Sequence, residues 1–293
     1  MTVHPHLPPM LRVHDLRSLG RLFAVFALAA CGRSGPDAAT LNARGQAHAA
    51  KGELAPAMAA YDSAIARDST LASVWRNRGV AWSQQERYDR ALADFDRAVA
   101  LDPANASLFN SRGVATQGRG DCDGAIKEYS EAIRLKPDHA LAIKGRGRCL
   151  FYLGRFAEAA TDLARGVALD STNAYVVLWL HIANQRTARE DAAAFTANLA
   201  RTDSLKWPGP VGRYFLGHLD AAALRAAGAA VDPRVGRDQQ CAAEFFLAEE
   251  AMAKDRWSDA QRGFEAARDG CPASWTEHHA AVAELARMGA AAR

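Results

Sequence analysis

Aromatic side chains are scarce in this sequence. Phe, Trp and Tyr make up 8% of 293 residues, although hydrophobic residues reach 49%. Much of the apolar share is alanine, the best helix former and a poor strand former, so an all-helical protein is expected. Charge of one sign is lacking as well: 36 Lys+Arg against 33 Asp+Glu leave a formal charge of +3, with no block of like charge. A nucleic-acid partner is therefore not expected, because it would require a basic surface to displace counterions from phosphates. The longest apolar run, Leu22 to Ala30, is too short to cross a bilayer as a mature helix. Five cysteines are too few for a small disulfide scaffold, and their odd number leaves one over after pairing.

Catalytic motifs are also missing. There is no H-E-x-x-H, C-x-x-C or G-x-S-x-G. Gly118-Arg119-Gly120 with Gly124 has the wrong spacing for a phosphate loop and follows no strand. His278 and His279 are adjacent, so a helix points them in different directions and one metal cannot take both. The sequence calls for no catalytic residue, cofactor or metal.

What is present is periodic. Arg44-Gly45, Arg78-Gly79, Arg112-Gly113 and Arg146-Gly147 recur at intervals of 34 residues. Ala57, Ala91, Ala125 and Ala159 each stand twelve residues after their glycine; Tyr61, Phe95, Tyr129 and Leu163 follow four later, then Ala64, Ala98, Ala132 and Gly166. Pro103 and Pro137 close two of the units. The pattern resembles the tetratricopeptide repeat (TPR), two antiparallel helices A and B per unit. That resemblance implies an α-solenoid, right-handed and non-enzymatic, in which the small residues let A and B approach and the aromatic fills the gap to the next unit. The units are 38–71, 72–105, 106–139 and 140–173. A degenerate unit and helical linker occupy 174–240, where Trp207-Pro208-Gly209-Pro210 breaks the register. A final unit follows in 241–274, and an amphipathic helix over 274–288 is expected to cover the exposed end.

The N-terminus adds a second resemblance. Arg12, Arg17 and Arg21 precede the apolar run, the layout of a secretory signal peptide over residues 1–30. Leu28-Ala29-Ala30-Cys31 resembles the bacterial lipobox, which implies acylation of Cys31 as the first mature residue and a short tether through Asp37. Gly32 after the cysteine is compatible with sorting to the outer membrane, facing the periplasm. A lipobox, four repeats, a degenerate unit and a last repeat with a capping helix together resemble the NlpI-like TPR lipoproteins of the bacterial envelope. The resemblance implies an adaptor for cell-wall hydrolases or a periplasmic protease. A competing reading is an assembly factor for a secretion, pilus or surface-polymer export complex; a third is an enzyme on a helical-repeat scaffold.

Within such a solenoid the remaining cysteines fall at neighbouring helix ends, which predicts disulfides Cys122–Cys149 and Cys241–Cys271. Asp94, Glu128 and Asp162 stand sixteen residues after Arg78, Arg112 and Arg146, which predicts ion pairs within each hairpin. Trp75, Trp82, Trp179 and Trp257 are expected to fill the core. TPR solenoids bind extended peptides along the A helices, and the corresponding positions here are Asn42, Gln46, Arg76, Asn77, Asn110, Lys144 and Arg148. Amides there can bond a peptide backbone in both directions, and the three cations favour an acidic segment or a C-terminal carboxylate. The exposed edges of a solenoid also suit a homodimer.

Overall fold

The computed structural model describes residues 35–189, 191–229 and 233–291. Cys31 and the expected signal peptide lie outside the described residues. Four helical hairpins come first: α1 (Ala38–Ala50) with α2 (Leu54–Arg67), α3 (Ala72–Gln84) with α4 (Tyr88–Leu101), α5 (Ala106–Gly118) with α6 (Cys122–Leu135), and α7 (Ala140–Tyr152) with α8 (Phe156–Leu169). The irregular part contains α9 (Ala174–Gln185), α10 (Ala192–Leu199), α11 (Gly209–Phe215) and α12 (Ala221–Gly228). A last hairpin of α13 (Pro233–Ala253) and α14 (Trp257–Gly270) precedes α15 (Thr276–Ala291). Among the described residues there is no strand, and the helices stack as an all-α solenoid of TPR hairpins.

The first three hairpins close on the small-against-aromatic contact read from the sequence, and the fourth closes with Gly147 against Leu163. A Cβ added to Gly79 would lie 2.7 Å from the Phe95 ring, and one added to Gly113 would lie 2.8 Å from Tyr129. The glycine therefore sets the A–B distance, and the buried ring opposite fills it. The turn between A and B is equally periodic. Gly52, Gly120 and Gly154 have positive φ, and so do Glu86, Ala188 and Asp255 at the same place in their units. This left-handed residue ends helix A and turns the chain into B, and it persists where glycine has been lost.

Arginine rungs hold consecutive units in register. Arg78 Nε and Nη2 donate to Asp94 at 2.8 and 2.7 Å, Arg112 Nε donates to Glu128 at 2.8 Å, and Arg146 Nε and Nη2 donate to Asp162 at 2.6 and 2.9 Å. Each guanidinium also reaches sixteen residues backwards, to Asp62 at 2.7 Å, Asp96 at 3.0 Å and Ser130 Oγ at 3.1 Å. The forward arm was legible in the sequence spacing; the backward arm, which couples neighbouring hairpins, was not.

Three expectations are corrected. Cys122 and Cys149 are not joined: both are free thiols, packed in one cluster. Helix A of the last unit starts at Pro233, so Cys241 lies inside α13 rather than at its start. Its Cα stands 5.1 Å from that of Cys271, the residue that ends α14, and a disulfide links them. Trp257 is 55% exposed, because it opens α14 and the helix that follows leaves it uncovered, whereas Trp179 is buried at 2%.

The irregular part is folded onto the solenoid by an apolar centre and a buried charge cluster. Trp179 stacks on Phe245 at 5.4 Å and meets Phe151 edge-on at 5.1 Å. Beside them Arg186 Nη2 donates to Glu284 at 2.7 Å and Nη1 stands 3.5 Å from Glu249, an ion-pair contact without hydrogen-bond geometry. Both glutamates are fully buried. Burial, then the neighbouring Glu284, push the Glu249 carboxyl up to about 8, against the opposing pull of Arg186 and Arg287. The folded chain thus holds a proton on Glu249 that the unfolded chain releases above pH ~4.5. That contribution to stability is complete below ~4.5 and is lost as pH rises to about 8. Glu249→Gln is expected to flatten this decline. Urea midpoints measured from acid to mildly alkaline pH test it, and parallel profiles for the two proteins would refute it.

Candidate functional site

The A helices α3, α5, α7 and α9 line one face of the solenoid, and the last helix reaches back across it. Tyr152 on α7 donates its hydroxyl to the Thr276 carbonyl at 3.1 Å, and Arg287 Nη1 donates to the Tyr152 carbonyl at 2.7 Å. The cap expected merely to close the solenoid's end therefore also crosses its groove. Two open cavities result, of about 440 and 400 Å³. Arg148, Ser274 and Thr276 line both of them, so the segment leading into α15 forms a partition between two parts of one groove.

The 400 Å³ part lies over the second and third units. Its wall carries the apolar side chains of Val80, Val114, Tyr88 and Phe95. Val114 is 48% exposed, unlike the buried Phe95. Three buried polar atoms in this wall have no hydrogen-bond partner: Ser83 Oγ, Asn110 Oδ1 and Arg148 Nε. Leaving such an atom unpaired costs about 1–3 kcal/mol, so three on one groove form a row of waiting donors and acceptors. Asn110 is itself only 9% exposed, which fixes the direction of its amide.

The 440 Å³ part lies over the fourth and fifth units, between Leu141, Lys144, Tyr175 and Trp179 on one side and Trp275 and Glu277 on the other. Glu277 is buried at 3%, and its Oε1 has no partner. Burial pushes its carboxyl up, and its own backbone N–H, then the nearby positive charge of Arg148, offset only part of this. Arg148 and Glu277 thus share one cavity, and no ion pair joins them.

The predicted peptide positions divide into three groups. Asn110 and Arg148 face the groove with unpaired atoms, and Gln46 is exposed at the far end on α1. Asn77, Asn42 and Arg76 instead bridge neighbouring A helices: Asn77 Nδ2 donates to Asn42 Oδ1 at 2.9 Å, and Arg76 Nε donates to Ser111 Oγ at 3.3 Å. Lys144 is the exception. It is 9% exposed and its Nζ donates to Asp170 at 3.2 Å, a bond that holds Asp170 below the usual carboxylate range. Its charge is committed to the fold. Sequence reasoning missed Ser83, Val80 and Val114, although they sit at recurring A-helix positions, and it missed the partition at 274–277 altogether.

Comparison with known proteins agrees with this architecture. Family models described as tetratricopeptide repeat match residues 72–105 and 110–174. No curated protein matches the chain. Among solved structures, MamA 41-end from Desulfovibrio magneticus RS-1 is 18% identical with a TM-score of 0.51, covering 57% of this chain and 96% of its own. A MamA double mutant from strain RS-1 is 16% identical at a TM-score of 0.50, covering 57% and 93%. YrrB, described as a TPR protein with an unusual peptide-binding site, is 23% identical at a TM-score of 0.47, covering 55% and 84%. The two MamA likenesses speak for the helical-repeat fold alone. Residues 72–105 and 110–174 of this chain are tetratricopeptide repeats.

Proposed function

We propose that the chain is a non-enzymatic adaptor, anchored in the bacterial envelope through acylated Cys31, whose groove holds an extended segment of a partner protein. The observation that carries the binding reading is the row of unpaired Ser83 Oγ, Asn110 Oδ1 and Arg148 Nε beside exposed Val114. A peptide main chain supplies both a donor and an acceptor at each residue, which is what an alternating hydroxyl, amide carbonyl and guanidinium can pair with. Val80 and Val114 between them leave room for apolar side chains. The anchor and outer-membrane location rest on the lipobox residues Leu28 to Cys31. Cell-wall hydrolases or a periplasmic protease as partners rest on the NlpI-like order of elements.

A photo-crosslinking residue placed at Val114 tests the reading in living cells. Proteins captured from the envelope are expected to fall by roughly tenfold or more when Asn110→Ala and Arg148→Glu are introduced together, because a charged hydrogen bond and a hydrogen bond to the Asn110 amide oxygen are lost. Capture that persists unchanged in the double variant would remove the groove from the function.

A further inference from the structure

The partition between the two cavities is the feature of the groove that remains to be explained. It consists of Pro272 to Glu277 with His279, and it is held at both ends. On one side Cys271 is bonded to Cys241; on the other, Glu284 is bonded to Arg186 and Arg287. Ala280 and Ala281, just beyond it, are fully buried. Between these anchors the segment makes one side-chain hydrogen bond to the groove, from the Tyr152 hydroxyl to the Thr276 carbonyl at 3.1 Å; Trp275 packs half-buried against the apolar cluster around Trp179, and the His279 ring stands 6.3 Å from that of Tyr152.

The polar match in the partition is poor. It brings a buried carboxylate into the groove, Glu277, whose Oε1 is unpaired, and it leaves the Arg148 Nε in the same cavity unpaired too. A buried carboxyl with an unpaired oxygen is a costly arrangement that departure of the segment would relieve, since Glu277 would then be hydrated. A ligand carboxylate that reached Arg148 directly would complete the guanidinium's bonding, and Leu141, Tyr175 and Trp179 provide apolar contact alongside.

Building on the adaptor reading, we propose that the segment 272–277 is a tethered internal competitor for the groove: it swings aside between its two anchors when an acidic peptide brings its own carboxylate to Arg148. The groove is thereby selective for acidic segments and partly self-occupied when empty of partner.

The test uses the full chain and a fluorescent, amidated peptide copying residues 274–280 (SWTEHHA), with a Glu-to-Gln copy as control. Tyr152→Phe removes the segment's one hydroxyl tether, so the acidic probe is expected to bind roughly fivefold more tightly, with faster amide hydrogen exchange at 274–279. Glu277→Gln in the protein removes the buried charge and seats the segment better, so probe affinity is expected to fall. The Gln copy is expected to bind more weakly than the acidic probe everywhere, and Arg148→Gln to abolish that difference. Equal affinities in wild type, Tyr152→Phe and Glu277→Gln overturn the proposal, as does equal binding of the two probes. A probe that binds none of the proteins overturns the competition as well, while capture at Val114 still decides the adaptor reading separately.

Discussion

Arg186→Ala is expected to destabilise the protein by about 3–5 kcal/mol, among the largest single effects in the chain. Arg186 stands just beyond α9, donates to Glu284 from α15, lies 3.5 Å from Glu249 of α13 and covers the Phe156 ring at 4.7 Å. One guanidinium therefore ties α8 and α9 of the repeat stack to α13 and α15, to which no periodicity relates them. Without it two buried carboxyl groups face each other, with only Arg287 left to balance them. Urea unfolding gives the measurement. A loss under 1 kcal/mol at neutral pH would refute the account. A triple replacement by apolar residues of similar size, Arg186→Met with Glu249→Leu and Glu284→Leu, is expected to recover most of the stability, since well-packed apolar groups usually match or exceed a buried ion cluster.

Tyr129→Ala is expected to cost a comparable 3–5 kcal/mol, on the scale of other large-to-small aromatic truncations. Its ring is fully buried and is pressed from both sides by glycine: a Cβ on Gly113 would lie 2.8 Å away and one on Gly145 2.6 Å away. The ring thus fills the contact within the third hairpin and the contact to the fourth at once. Backbone lies on both flanks, so the cavity left by alanine has few side chains free to collapse into it. Tyr129→Phe isolates the polar part. The hydroxyl donates to Gln117 Oε1 at 2.8 Å, and its loss is expected to cost about 0.5–1.5 kcal/mol. Thermal or urea unfolding of both variants checks the ratio; similar losses for Ala and Phe would mean that packing between the glycines is not what Tyr129 supplies.

The residues that could be read in advance are those whose partners lie within one repeat. Gly113 against Tyr129, and Arg78 against Asp94, belong to one hairpin, where a fixed 34-residue period and two antiparallel helices determine who meets whom. Asn110 and Arg148 were legible as groove positions for the same reason. The partition was not, because the Tyr152–Thr276 bond spans 124 residues and no periodicity relates its ends. Lys144 lies in the groove wall, as its A-helix position implies. Its charge, however, is taken by Asp170 in the turn after α8 of the same unit, and a repeat's spacing alone does not tell a committed cation from a free one. Cys122 and Cys149 show the limit from the other side: adjacency of helix ends was legible, but whether two neighbouring sulfurs are bonded was not.

The rungs of Arg78, Arg112 and Arg146 have a consequence for how such a chain can change its length. Each arginine takes one partner sixteen residues ahead and another sixteen behind, so the two arms of a rung together span almost one unit. Excision of residues 106–139 would bring Arg146 to the place of Arg112, with Asp96 waiting behind it and Asp162 still ahead. Duplication of the same segment would repeat the rung without leaving an unmatched charge. The electrostatic pattern is thus modular at the same length as the backbone, and whole repeats can be gained or lost by recombination without redesigning either neighbour.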